Sequence, residues 1–246
     1  MRTNQAVHRL IRPVVLVAAV AAGVRAVPAE ATASRPDVIR FRQLAAATSG
    51  RPEVTSLTGR FGFSTHTGAL LVMAIANGTS CSNPIATVTD SGGNTWQRAS
   101  SVCLSDAFPN LEVWFVPNAA PARTVTASWT QQAHAMMDLY EFTGAAASPL
   151  DGASTAGGHG DLFGTSSPAT PSAPGELAVG ALCGDVIQPI TVTTAAFHNA
   201  PQLAAGSALT LRSGAASLTS VAPISYDGTW SAPMDWVGLI ALFKAA

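Results

Sequence analysis

The stretch Ala69-Leu-Leu-Val-Met-Ala-Ile-Ala76 is apolar throughout, and Gly175-Glu-Leu-Ala-Val-Gly-Ala-Leu182 reads like a second copy of it. Each is followed by a proline-led, β-branched segment, Pro84-Ile-Ala-Thr-Val-Thr89 in one case and Pro189-Ile-Thr-Val-Thr193 in the other. Each then closes on a Trp and a Phe at the same spacing, Trp129 with Phe142 and Trp230 with Phe243. A short apolar run without helical period fits a strand covered on both faces. The repeat is far longer than the roughly 20–50 residues of a solenoid unit. The expectation is one all-β domain, a two-sheet β-sandwich of jelly-roll or Ig-like type. Its two halves, at about residues 69–143 and 175–244, would be related by a rough two-fold.

The segments around the repeats support this class. Residues 37–44 alternate polar and apolar side chains, the sign of a half-buried strand; as the first strand of the mature chain, it is expected to be an edge or exchanged strand. Residues 53–57 are a second short candidate. Segments 85–89 and 95–102 bracket Asp90-Ser-Gly-Gly-Asn94, residues that readily take positive φ, so a hairpin is expected there. Further strands are expected at 111–116, 124–129, 135–143, 176–183, 190–197, 208–212, 217–224 and 236–243. Residues 144–174, rich in Gly, Ser, Thr and Pro, read as a connector between the halves, with at most one or two short edge strands. Nothing after the first thirty residues keeps a helical period, and strand after strand with turn residues between argues all-β.

The N-terminus reads as an address. Arg2, His8, Arg9 and Arg12 precede an apolar run from Val14 to Val24, too short for a bilayer, which needs about 20 residues. Small residues follow, with cleavage expected after Ala26 or Ala33. This is the pattern of a secretory signal peptide over residues 1–33, leaving a single domain at 34–246, secreted or on the cell surface. The competing reading is an uncleaved N-terminal anchor. Removing Arg2, Arg9, Arg12, Arg25 and Glu30 leaves nine basic and thirteen acidic residues, a net charge of −4. No basic patch survives, which argues against nucleic acid and anionic membranes as partners.

Oxidising conditions outside the cytoplasm favour a disulfide. Three cysteines permit three single bridges. The local loop favours Cys81–Cys103, leaving Cys183 as a buried thiol or an intermolecular link.

At several of these segments the chain resembles a group of exported bacterial β-sandwich domains found in soil actinobacteria and their neighbours. The resemblance is carried by Val88-Thr-Asp-Ser-Gly-Gly-Asn-Thr-Trp96, Glu112-Val-Trp-Phe-Val-Pro-Asn118, Val125-Thr-Ala-Ser-Trp129, and Leu139-Tyr-Glu-Phe-Thr-Gly144 with Ser148-Pro-Leu-Asp151. It implies a jelly-roll or Ig-like sandwich on an extracellular protein and carries no established activity.

Nucleophile-elbow, P-loop, dinucleotide-glycine and His-Glu-x-x-His patterns are absent. Two strand glutamates, Glu112 and Glu141, would suit a retaining glycosidase if their carboxyls stood about 5–5.5 Å apart; otherwise each faces solvent or pairs with an Arg such as Arg98 or Arg123. Asp90, Asn94 and Asp151 carry the oxygen ligands calcium takes, but Asp and Asn also occur in turns because they bond the local backbone. His66, His134, His159 and His198 are scattered, and only His159 has an acidic neighbour, Asp161, so zinc has little support. The five Trp residues, 96, 114, 129, 230 and 236, are read mainly as core, with outward stacking on sugar rings as the alternative. The expected function is a non-enzymatic extracellular module for adhesion, surface display or self-assembly, with itself or a neutral extracellular polymer as partner and no required cofactor. The alternative is a carbohydrate-binding module or jelly-roll glycoside hydrolase using Glu112 and Glu141.

Overall fold

The computed structural model describes residues 38–78, 80–104, 109–164 and 168–246. The expected signal peptide lies outside them. The described residues contain no helix, and so none long and apolar enough to cross a membrane. They form strands β1 (Arg40–Thr48), β2 (Val54–Arg60), β3 (Ala69–Asn77), β4 (Thr87–Asp90), β5 (Gln97–Val102), β6 (Asn110–Ala119), β7 (Thr124–Ala133) and β8 (Ala135–Thr143) in the first half. The second half holds β9 (Ala145–Phe163), β10 (Leu177–Gly184), β11 (Thr191–Val192), β12 (His198–Asn199), β13 (Leu203–Ala205), β14 (Leu209–Ser217) and β15 (Gly228–Ala245).

The protein is an antiparallel β-sandwich. One sheet runs β1-β8-β3-β6-β5, and its main partner runs β11-β15-β10-β14-β12, with β9 on β15 and β13 on β14. A third, small sheet, β2-β7-β4, covers the outer face of the first. This third layer explains why β3 is buried at every residue. Leu70, Val72, Ala74 and Ala76 point into the core between the two large sheets. Ala69, Leu71, Met73 and Ile75 point into a second core under the small sheet, with Leu57, Val125, Trp129 and Leu139. Strand β10 is buried in the same way: Leu177, Val179, Ala181 and Cys183 face the central core, and Ala178 and Leu182 face a third, which includes Tyr226, Trp230 and Ile240.

The two-fold is legible in the register. Leu70 pairs with Phe142 across β3 and β8, as Leu177 pairs with Phe243 across β10 and β15. Val72 pairs with Phe115 on β6, as Val179 pairs with Ala215 on β14. The closing Trp residues also match: the Trp129 indole donates to the Val54 carbonyl at 2.9 Å, and the Trp230 indole to the Gly160 carbonyl at 2.7 Å. Tyr226 fills the third core where Met73 fills the second, and this requires Gly180, where a Cβ would run into the Tyr226 ring.

Three local expectations are corrected. Residues 144–174 are not mainly a connector: 145–163 form β9, which runs along β15 and does for the second half what β1 and β2 do for the first. Its many Gly, Ser and Thr residues hide the strand, because only scattered positions such as Leu150, Ala156 and Phe163 are apolar and at least half-buried. Asp90-Ser-Gly-Gly-Asn94 is not a hairpin turn, since β4 pairs with β7 and β5 with β6 in a different sheet; it turns a corner between layers. Residues 208–212 and the start of 217–224 belong to the single strand β14, and beyond it only Ile224 bridges, to Ala169.

Cys81 and Cys103 are bridged, with Cα atoms 5.6 Å apart. Cys183 is free and buried in the central core, where burial pushes its thiol pKa far up. The expected edge strand is at an edge: among the described residues β1 pairs only with β8, and Phe41 on it is 57% exposed.

Candidate functional site

Glu112 and Glu141 are both buried, on β6 and β8, and both point toward the small sheet. They do not share a cleft. Glu112 lies opposite Ile75 and Glu141 opposite Leu71, on either side of β3. Four residues along a strand and two strand spacings across put their Cα atoms about 16 Å apart, and the two carboxylates take different donors.

Each carboxylate is occupied by local donors. Glu112 accepts from the Ile85 amide at 2.8 Å and the Trp114 indole at 2.8 Å, and Arg98, which also lies over the Trp114 ring, stands 3.5 Å away. Burial raises its pKa, against these stabilising partners. Glu141 accepts from the Gln43 amide at 2.6 Å and from the backbone N–H of His66 at 2.6 Å. Its oxygen also lies 2.7 Å from Nδ1 of His66, whose Nε2 is 3.1 Å from Arg42. Since Arg can only donate, Nε2 accepts and Nδ1 carries the proton toward Glu141. Both glutamates thus fasten a loop to a buried strand.

The calcium candidates are similarly engaged. Asp90 Oδ1 accepts from the amides of Gly92 and Asn94, at 2.9 and 3.1 Å, and Oδ2 from the Asn94 side chain and the Trp96 indole, both at 2.9 Å. The Asn94 carbonyl oxygen accepts from the Ala120 amide at 2.7 Å. The motif Asp90-Ser-Gly-Gly-Asn-Thr-Trp96 is therefore a corner lock that ties the small sheet to the large one. Asp151 belongs to the other half, 2.8 Å from Lys244. His159 pairs with Asp235 rather than Asp161, at 2.7 Å, and His134 lies 4.0 Å from Glu53. Among the described residues no three His, Cys, Asp or Glu side chains converge. Trp96, Trp129, Trp230 and Trp236 are buried, and Trp114 is half-buried.

Two features absent from the sequence reading lie together between the large sheets. Ser213 on β14 donates to Asp138 Oδ2 on β8 at 2.5 Å, and its oxygen lies 2.6 Å from the Tyr140 hydroxyl. The Ser213 proton is directed at Asp138, so Tyr140 donates to Ser213. Asp138 is fully buried, and its Oδ1 has no partner among the described residues. Burial raises its pKa to about 7, against the Ser213 bond and the charge of Arg212.

Beside this triad is an apolar pocket of about 380 Å³, walled by Phe41, Leu44, Tyr140, Phe142, Leu177 and Ala215, with His198, Asn199 and Ser217 also lining it. It opens between β1 and β12, the edge strands of the two large sheets on that side. A volume of this size lies at the lower end of small-ligand sites. The repeat held a usable signal for both features: in register, Leu239 stands where Asp138 does, Val113 where Ser213 does and Phe115 where Ala215 does.

Comparison with protein-family models, with curated proteins and with solved structures finds no match to this chain.

Proposed function

We propose that the protein is an exported, non-enzymatic β-sandwich module that binds or assembles outside the cell, with copies of itself or a neutral extracellular polymer as partner. One observation carries the reading: the two buried glutamates that the sequence offers as an acid–base pair are separated across β3, and each is spent on fastening loops. Catalysis needs such groups convergent in a concave site. The signal-like N-terminus and the Cys81–Cys103 bridge support export. Among the described residues the edge of β1 away from β8, carrying Phe41 and preceded by the 46% exposed Val38, has no strand beside it, and its backbone groups are where a partner strand can add.

The test uses the purified mature chain. It is screened for turnover on polysaccharides and ester substrates beside the Glu112→Gln, Glu141→Gln double variant. Sedimentation and polysaccharide pull-down follow association. Association without turnover is expected. Turnover that disappears in the double variant while the fold persists overturns the proposal in favour of a glycosidase.

A further inference from the structure

The pseudo-two-fold supplies an internal template for the apolar pocket. At its symmetry-related position the same space is filled. There Phe115 of β6 packs against Phe243 of β15, with ring centroids 5.5 Å apart at 63°. The equivalents of these two residues are Ala215 and Phe142, both of which line the pocket. Where one half inserts a phenyl ring, the other has a methyl group. The rest of the wall keeps its aromatic character: Tyr140 stacks on Phe142 at 5.9 Å and 11°, and Phe41 meets Phe142 edge-on at 6.0 Å.

We propose that this pocket binds a small neutral molecule that inserts one phenyl-sized ring into the place Phe115 occupies in the other half. Three observations define the class. The template contact is a ring edge-on to a Phe, an arrangement worth more than its buried area alone. Among the described residues no Asp, Glu, Lys or Arg lines the pocket, so a charged group there would be desolvated without a partner. The volume exceeds that of one ring, and the exposed His198 and Asn199 put polar atoms beside a short polar substituent. Phe41 and Leu44 of β1 line the pocket, so its mouth lies at the same edge as the strand addition proposed above, and binding is tested on the protein without a partner.

The experiment uses 4-bromobenzyl alcohol as probe, with titration calorimetry in solution and anomalous scattering from bromine in soaked crystals. The wild-type protein is expected to bind one equivalent, with bromine density beside Phe142 and Ala215. In Ala215→Phe, which restores the ring of the template half, affinity should fall at least tenfold with the melting temperature unchanged or raised. If that variant does not fold, Ala215→Leu carries the same comparison. Cyclohexylmethanol should bind more weakly than the aromatic probe. Equal affinity in a folded Ala215 variant, bromine density elsewhere only, or no binding at millimolar probe would overturn the proposal.

Discussion

Asp138 gives the sharpest quantitative expectation. Its carboxyl has no exposure, one oxygen without a partner among the described residues, and a pKa raised from 3.8 to about 7, chiefly by burial. Below pH 4 both the folded and unfolded chains hold the proton, and the group leaves stability unchanged. Between pH 4 and 7 the unfolded chain has released its proton while the folded one keeps it. The unfolded state then binds fewer protons, so stability falls as pH rises. A gap of this size corresponds to about 4 kcal/mol lost by pH 8, at 1.36 kcal/mol per unit. Glu112 and Asp185 are raised by burial too and slope the same way. The comparison is therefore between wild type and Asp138→Asn, with urea unfolding followed by Trp fluorescence from pH 4 to 8, disulfide intact. The amide of this variant meets the same lack of partner, so it carries a constant cost, but it has no proton to titrate. The wild-type stability minus that of the variant should drop by about 4 kcal/mol across the window. A difference that stays flat, or that rises with pH, would mean Asp138 is ionised in the folded protein and would refute the reasoning.

Other outcomes follow from packing. Replacing Cys81 and Cys103 together by Ser should lower stability by about 3 kcal/mol, read as a reduced urea midpoint, because the bridge closes a 22-residue separation. Gly180→Ala should cost about 3 kcal/mol or more by the same assay, since the new methyl would overlap the Tyr226 ring on a rigid strand. Asp90→Ala removes the acceptor of four N–H groups at the corner and should cost about 2 kcal/mol, with faster hydrogen exchange at Gly92 and Asn94.

What could be read from the chain depended on how strongly a segment was forced to be apolar. Strands β3 and β10 are covered on both faces, so their sequence is nearly all apolar or glycine and their boundaries stand out, and β8 is as buried but carries Asp138 and Glu141. Strand β9 escaped because most of its residues are half-buried or exposed. The corner at Asp90–Asn94 escaped for a different reason: turn residues report the bend of the backbone, and which sheet the chain enters next is decided by long-range pairing. The glutamates were identifiable as unusual on apolar strands, but whether two strand residues converge depends on register, which no local pattern encodes. Asp138 and the pocket were hidden in mismatches between the halves: an acid against Leu239, a methyl group against Phe115.

Those mismatches have a consequence for how such a molecule can vary. Two identical subunits packed about a true dyad must repeat every substitution. An acid at position 138 would then enter the interface twice, and a phenyl at 115 would close both cavities at once. Joining the halves in one polypeptide gives each position its own codon. One side of the interface can stay a filled, inert support while the other carries a single proton-sensitive group and a single vacancy. The covalent link is what permits one β-sandwich to have two unlike ends.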